Sequence, residues 1–357
     1  MGLGNGENLV NNRSIDTDSY ERYLRGKALW LARGGVSAAS QERNLTEAAT
    51  LLEGVVVKSP SYAPAWAFLS GIYFDRAATN TDMSDIGDAR GTANEFRIRG
   101  EAAGQKAVQL DANLAVAYAG LAQFAWSRAK PLEAEELFKK ALALDPVDPN
   151  ALGGYGFRIG SAGRLKEALD LVEKAHTVDP FYPVLARATA QYLWLNRQNE
   201  SAIVLAKTLR PADRAMLLAL IYASMRRFDE AADTLMELAA GDANSNMTQA
   251  ARLLRMYPAE LPSVEQLPRL LPPLSMLYLY MGDRERALLP YERMVDIGLV
   301  GGGIRGTAPV WHADFAPVRK TARFKVLMRK AGLVEYWHVK GWPEQCHPTT
   351  GDDFECE

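Results

Sequence analysis

The chain has 357 residues, 48% hydrophobic and 24% charged, with a formal net charge of −2 at pH 7. That balance excludes an intrinsically disordered chain, and it provides no overall basic field for nucleic acid. The longest apolar run, Ala215–Met225 between Arg214 and Arg226, covers about half of the roughly 20 residues a spanning helix needs, so no membrane insertion is expected.

In chain order, residues 1–19 read as a tail. Met1-Gly2-Leu3-Gly4-Asn5-Gly6 has neither the basic nor the apolar stretch of a secretory leader, which makes the cytoplasm the expected compartment. A first helix is predicted over Tyr20–Ala32 and a loop over Gly34–Ser40. A second helix carries Ala48, Leu52 and Val55 and is closed by Pro60. Trp66, Leu69, Ser70 and Tyr73 mark the next helix. An insertion at about Ala77–Asn94 reads as surface loop, and its partner helix resumes near Glu95.

Three near-identical phrases follow: Ala107-Val108-Gln109-Leu110-Asp111, Ala141-Leu142-Ala143-Leu144-Asp145 and Ala175-His176-Thr177-Val178-Asp179. Each ends a helix, and the residues after them, Ala112, Pro146 and Pro180, stand 34 apart. Between these stops, Tyr118, Leu121 and Ala122 lie on one helical face, and Ala134, Phe138 and Ala141 on another. Leu152, Tyr155, Gly156 and Ile159, then Ala168, Val172 and Ala175, repeat the pattern. The small residues let paired backbones approach, and the large ones fill the groove between them.

A shortened unit carries Tyr192 and Leu193, then Ala202, Leu205 and Leu209, and is broken by Pro211. Leu218, Ala219 and Tyr222 pair with Ala231, Leu235 and Leu238. A linker at Gly241–Ser245, a lone helix at Met247–Tyr257 and a last hairpin, Leu274–Tyr280 with Arg284–Ile297, complete the series.

A 34-residue helical-hairpin period with small and large residues at these places resembles the tetratricopeptide repeat family, most closely over Ala115–Pro180. The resemblance implies an all-α, right-handed superhelical solenoid of about six to seven antiparallel helix pairs over 20–297. Residues 298–357 then form a Gly-rich linker and a short helical cap. Trp311-His312-Ala313-Asp314-Phe315-Ala316-Pro317-Val318-Arg319 and Tyr20-Glu21-Arg22-Tyr23-Leu24-Arg25-Gly26 are similar to segments of bacterial repeat regions joined to winged-helix regulators and adenylate-cyclase-like proteins. That likeness implies a sensory or regulatory role as the alternative function, and a periplasmic location as the alternative compartment.

The residues provide little for catalysis. No phosphate-binding Gly-Lys-Ser/Thr loop, nucleophile elbow or His-Glu-x-x-His helix occurs. Gly301-x-Gly303-x-x-Gly306 lacks a preceding strand. His312, Asp314, His338, Cys346 and His347 fit no recognised zinc spacing. Neither catalytic residue, metal nor cofactor is therefore expected, and an enzyme is not. Cys346 and Cys356 read as reduced thiols, a disulfide being the alternative in an oxidising compartment. The cations Arg319, Lys320, Arg323, Lys325, Arg329 and Lys330 read as the wet face of a helix docked through Phe324 and Leu327, so no nucleic acid is expected.

In tetratricopeptide proteins the first helices line a concave groove. The resemblance places Phe74, Gln123, Trp126, Phe157, Arg187, Gln191 and Trp194 on that face, with Met276 and Tyr280 further along. Aromatics beside an arginine are the residue types that dominate binding energy, and packing between helices is the competing role. The family's clamp for chaperone C-termini needs Lys, Arg and Asn, where Ala119, Gln123, Gly154, Phe157 and Ala188 stand. The expected function is thus a scaffold that holds a protein or peptide segment by apolar and aromatic contacts, oriented by Arg187 and the glutamines. The sequence leaves the oligomeric state open.

Overall fold

A computed structural model describes residues 15–32, 38–79, 86–239, 245–259, 261–270, 272–301, 308–351 and 353–357. The chain is an all-α solenoid of antiparallel helical hairpins. They are α1 (Thr17–Leu31) with α2 (Ala38–Lys58), α3 (Ala63–Thr79) with α4 (Ile86–Leu110), α5 (Ala115–Ser127) with α6 (Pro131–Leu144), and α7 (Pro149–Ser161) with α8 (Leu165–Val178). The series continues with α9 (Pro183–Leu195) and α10 (Asn199–Lys207), then α11 (Pro211–Ser224) and α12 (Phe228–Met236). Each first helix also touches its counterpart in a neighbouring hairpin, as α3 does α5 and α5 does α7, so the first helices together form one face.

Local chemistry fixes the ends of these helices. Asp16 caps α1 by accepting the Ser19 N–H at 3.0 Å, and Asp148 caps α7 through the Ala151 N–H at 2.7 Å, with Pro149 in the first turn. The tight turns inside the α5–α6, α7–α8 and α9–α10 hairpins each need one left-handed residue. Ala129, Gly163 and Arg197, at φ of 59°, 90° and 63°, fill that place at the 34-residue interval. Close packing rests on missing side chains: a Cβ on Gly156 would stand 2.9 Å from Val172 Cγ1 and 3.2 Å from the Ala168 carbonyl. Adding Cβ to Gly160 or Gly100 would drive it into the ring of Tyr192 or Phe124, at 2.2 Å.

Several expectations change. The insertion predicted at Ala77–Asn94 is mostly helix: α3 runs on to Thr79 and α4 begins at Ile86. Ala89, Ala93 and Phe96 recur at helical spacing and are buried, which carries the helix through an otherwise polar stretch. Residues 80–85 lie outside the described residues, as do 1–14 of the predicted tail, 34–37 of the first predicted loop, 241–244 of the linker and 302–307 of the Gly-rich segment. The lone helix is α13 (Asn246–Met256), packed on α12. The first arm of the last hairpin is a 3-10 helix, Leu274–Leu279, just after Pro272 and Pro273, and it packs on α14 (Arg284–Asp296).

After a 3-10 turn at Ala308–Trp311 come α15 (Ala316–Arg319), α16 (Ala322–Lys330) and α17 (Leu333–Lys340). An antiparallel hairpin of β1 (Cys346–Pro348) and β2 (Phe354–Cys356) closes the cap. Cys346 and Cys356 are directly cross-strand and joined by a disulfide, contrary to the expectation of free thiols. Facing positions in a hairpin hold the two Cα atoms 4.0 Å apart, a relation the sequence spacing alone did not convey. The cations of α16 hold the cap together and tie it to α14. Arg323 forks onto Glu292, Lys325 and Arg329 hold Asp353, and Lys330 meets Asp296 at 3.1 Å.

Candidate peptide-binding cleft

The first-helix face carries a narrow cleft, open on one side, with a cavity volume of about 70 Å³. Its walls are the first helices of successive hairpins: Gly71 and Phe74 from α3, Val116, Gly120 and Gln123 from α5, Gly153, Gly154 and Phe157 from α7, and Leu185 from α9. Trp30 near the end of α1 closes one side, and Arg210 Nη1 donates to the Ala32 carbonyl at 3.2 Å, so the end of α1 lies against the α10–α11 turn. Side chains at Gly153 and Gly154 would strike Leu185 and Gln123 at 2.6 and 2.5 Å. The glycines thus let α7 nest against Leu185 of α9 and Gln123 of α5.

The expected groove residues divide into two groups. Phe74, Gln123 and Phe157 line the open cleft. Phe74 is only 4% exposed and meets Phe124 edge-on at 5.4 Å. Arg187 and Gln191 are nearly buried on α9 and bond to each other at 3.0 Å, so each orients its neighbour. Trp126 and Trp194 have no exposed surface, because this chain's own C-terminal segment covers them. The ring of Tyr336 lies 5.7 Å from that of Trp126, and His312 stacks on Trp194 at 4.6 Å. Both tryptophans therefore anchor the cap. Met276 and Tyr280 are also buried, and the Tyr280 hydroxyl donates to Asp314 at 2.6 Å.

The cap docks on the hairpin turns at the far ends of the first helices. Trp311 Nε1 donates to the Ser161 carbonyl and Trp337 Nε1 to that of Ala162, each at 2.9 Å. Glu135 is the polar clasp. Its carboxylate accepts Tyr336 Oη at 2.6 Å and pairs with Lys139 and Lys340, each at 2.8 Å. Burial works to raise the Glu135 carboxyl, but the hydrogen bonds from Lys139, Lys340 and Tyr336 outweigh it and bring it down to about 2. His312 is held neutral by burial, its pKa lowered to about 4, and its Nδ1 accepts the Asp314 N–H at 3.2 Å. Among the described residues no three His, Cys, Asp or Glu side chains converge as a metal site.

One residue of the cleft escaped the sequence reading. Arg158, near the end of α7, is 2% exposed and lines the cleft between Phe74 and Gln123. Its Nε donates to Gln123 Oε1 at 2.6 Å, its guanidinium lies 5.2 Å from the centre of the Phe74 ring, and its Nη1 has no partner. Desolvation brings it down to about 10, so it stays charged at neutral pH. The signal was available: Leu152-Gly153-Gly154-Tyr155-Gly156-Phe157-Arg158-Ile159-Gly160 sets one cation in a run of glycines and apolar residues.

No protein-family model and no curated protein matches this chain. Among solved structures it is similar to PilW, a widely conserved type IV pilus biogenesis factor, at 16% identity and a TM-score of 0.45 over 66% of this chain and 99% of that one. It is also similar to PilF of Pseudomonas aeruginosa, at 17% identity and 0.40 over 65% and 98%. A tetratricopeptide repeat protein of Parabacteroides merdae aligns at 13% and 0.37 over 68% and 100%. With these scores below 0.5, the helical-repeat assignment rests on the chain's own period, turns and hairpin packing.

Proposed function

We propose that the chain is a non-catalytic scaffold that holds a segment of a partner protein in the cleft formed by α3, α5, α7 and α9. The carrying observation is the cleft itself: apolar side chains and glycine backbone from successive first helices, open on one side while the cap fills the other end of the same face. An extended segment laid across such a surface gains apolar burial from Phe157 and Val116 and polar orientation from Gln123. In this reading Phe74, Gln123 and Phe157 are the contact residues, Arg187 and Gln191 flank them, and Trp126 and Trp194 support the face from below.

The cross-strand disulfide favours an oxidising compartment over the cytoplasm, because such bonds persist mainly in exported proteins. No helix of the described residues is long and apolar enough to cross a membrane.

The binding test uses a pool of randomised nonapeptides, acetylated and amidated at their ends, passed over immobilised protein. Wild-type protein is expected to retain a reproducible fraction. Val116→Asp and Phe157→Ala should each reduce retention at least fivefold, and Val178→Asp, at an exposed position on α8, should not. Equal retention by all four proteins would contradict the cleft assignment.

A further inference from the structure

Three arginines are buried among the described residues: Arg187 reaches Gln191 at 3.0 Å and Asp213 at 3.9 Å, and the other two are treated differently. Arg319, 3% exposed, gives Nη1 to the carbonyls of Val310 and His312 at 2.8 Å each and Nε to the Glu357 carbonyl at 2.8 Å. Its donors are matched by backbone oxygens, which makes it a brace for the cap. Arg158 is as deeply buried, yet its side-chain hydrogen bond is to Gln123, and no carboxylate of the described residues stands in ion-pair contact with it. The cleft's own carboxylate, Asp75, accepts Trp30 Nε1 at 2.6 Å and reaches Arg158 only through its charge, without an ion-pair contact. A second donor close by is also unmatched: Trp126 Nε1 has no acceptor. Both it and Arg158 Nη1 lie within 3.2 Å of the point where a Cβ on Gly301 would sit.

A buried cation with no carboxylate in contact is costly to fold around, and such perturbed groups cluster at functional sites. We propose that Arg158 is the seat for the side-chain carboxylate of a Glu or Asp in the bound segment. The inference rests on the cleft reading above and names the chemistry its floor selects. The geometry favours a side chain over a chain terminus. Arg158 lies beneath the cleft surface, so the acceptor must arrive on a thin stem, while the backbone of the segment stays above, beside the half-buried Val116 and Phe157. The Phe74 ring on one side and Gln123 on the other hold the guanidinium in one orientation, so little freedom is lost when a carboxylate arrives. This seat differs in residue and place from the family's clamp for chaperone C-termini, whose positions here hold small or uncharged residues.

The test uses four nonapeptide pools, acetylated at the N-terminus and randomised apart from one feature. The first three are amidated and carry a fixed central Glu, Gln or Lys. The fourth carries central Gln and a free terminal carboxylate. Wild-type protein should retain the Glu pool at least tenfold over the Gln pool, with the Lys pool lowest and the free-terminus pool close to Gln. Arg158→Gln should bring Glu and Gln to parity, and Arg158→Lys should keep a reduced preference for Glu. Arg158→Met should lose the preference while its melting temperature without peptide stays level or rises, an outcome a purely structural arginine would not give.

Equal retention of Glu and Gln pools by wild-type protein would overturn the proposal and leave the cleft reading standing. So would a Glu preference that survives Arg158→Gln, or a free-terminus pool retained above the Glu pool. Retention of no pool would overturn both readings.

Discussion

The attachment of the cap turns on Glu135, and its contribution can be worked from the structure. The carboxyl has a reference value of 4.5 and is brought to about 2 in the folded chain. At ~1.4 kcal/mol per tenfold change in proton affinity, that contributes at most roughly 3 kcal/mol. Lys139 is half exposed, so water screens part of its attraction and about 2 kcal/mol is the better figure. A carboxyl depressed on folding stabilises fully above its unfolded value. The contribution is therefore complete above about pH 5 and fades as pH falls from 4.5 towards 2. Glu135→Gln keeps an oxygen for the Tyr336 hydroxyl and removes the charge that Lys139 and Lys340 need. Helical repeats do not unfold as one unit, so the readout is local: hydrogen exchange of the α17 amides, corrected for intrinsic rates. At pH 7 the variant should exchange about 30-fold faster than wild type, the equivalent of ~2 kcal/mol, and the gap should narrow between pH 4.5 and 3. A change under threefold at pH 7, or a gap indifferent to acid, would refute the clasp.

Three further outcomes follow from the packing. Gly156→Leu should overpack α7 against α8 and cost ~1–3 kcal/mol, read as a lower denaturant midpoint, because Val172 and the Ala168 carbonyl already crowd that position. Arg197→Gly should stabilise by ~0.5–1 kcal/mol in the same assay, since the left-handed turn strains any side chain there. Cys346→Ser with Cys356→Ser should loosen the β1–β2 hairpin by roughly 2–3 kcal/mol, the entropy of one short loop, and leave the protection of α3–α8 amides unchanged.

The hairpin repeat was legible because a solenoid is held together by neighbours in sequence. The residues that nest α5 on α6 and α7 on α8, such as Ala134, Phe138, Gly156 and Val172, lie within one period and announce themselves by spacing. The turn positions 129, 163 and 197 are equally local. What could not be read lies in contacts between distant parts of the chain. Trp311 reaches Ser161 across 150 residues, and Tyr336 reaches Glu135 across 201. Nothing in the spacing of Trp126 and Trp194 distinguishes a wall offered to a partner from one covered by the chain's own end. Part of the trough is filled in this way, and only the part near the start of the first helices stays open. Arg158 was illegible for another reason: it stands one place beyond Phe157, outside the repeat positions usually turned to the groove. Its burial follows from Gly160, Tyr192 and the cap closing around the end of α7.

The central claim is that the open half of the first-helix face, and not the capped half, receives the partner. Benzoylphenylalanine placed at Phe157, at Trp194 and at the exposed position Val178 of α8, irradiated in the native host and mapped by peptide-resolved mass spectrometry, tests it most directly. The account predicts adducts to one recurrent acidic segment of a partner from position 157, adducts only to this chain's own cap from position 194, and none of that segment from 178. Partner adducts from position 194 with none from 157 would contradict it.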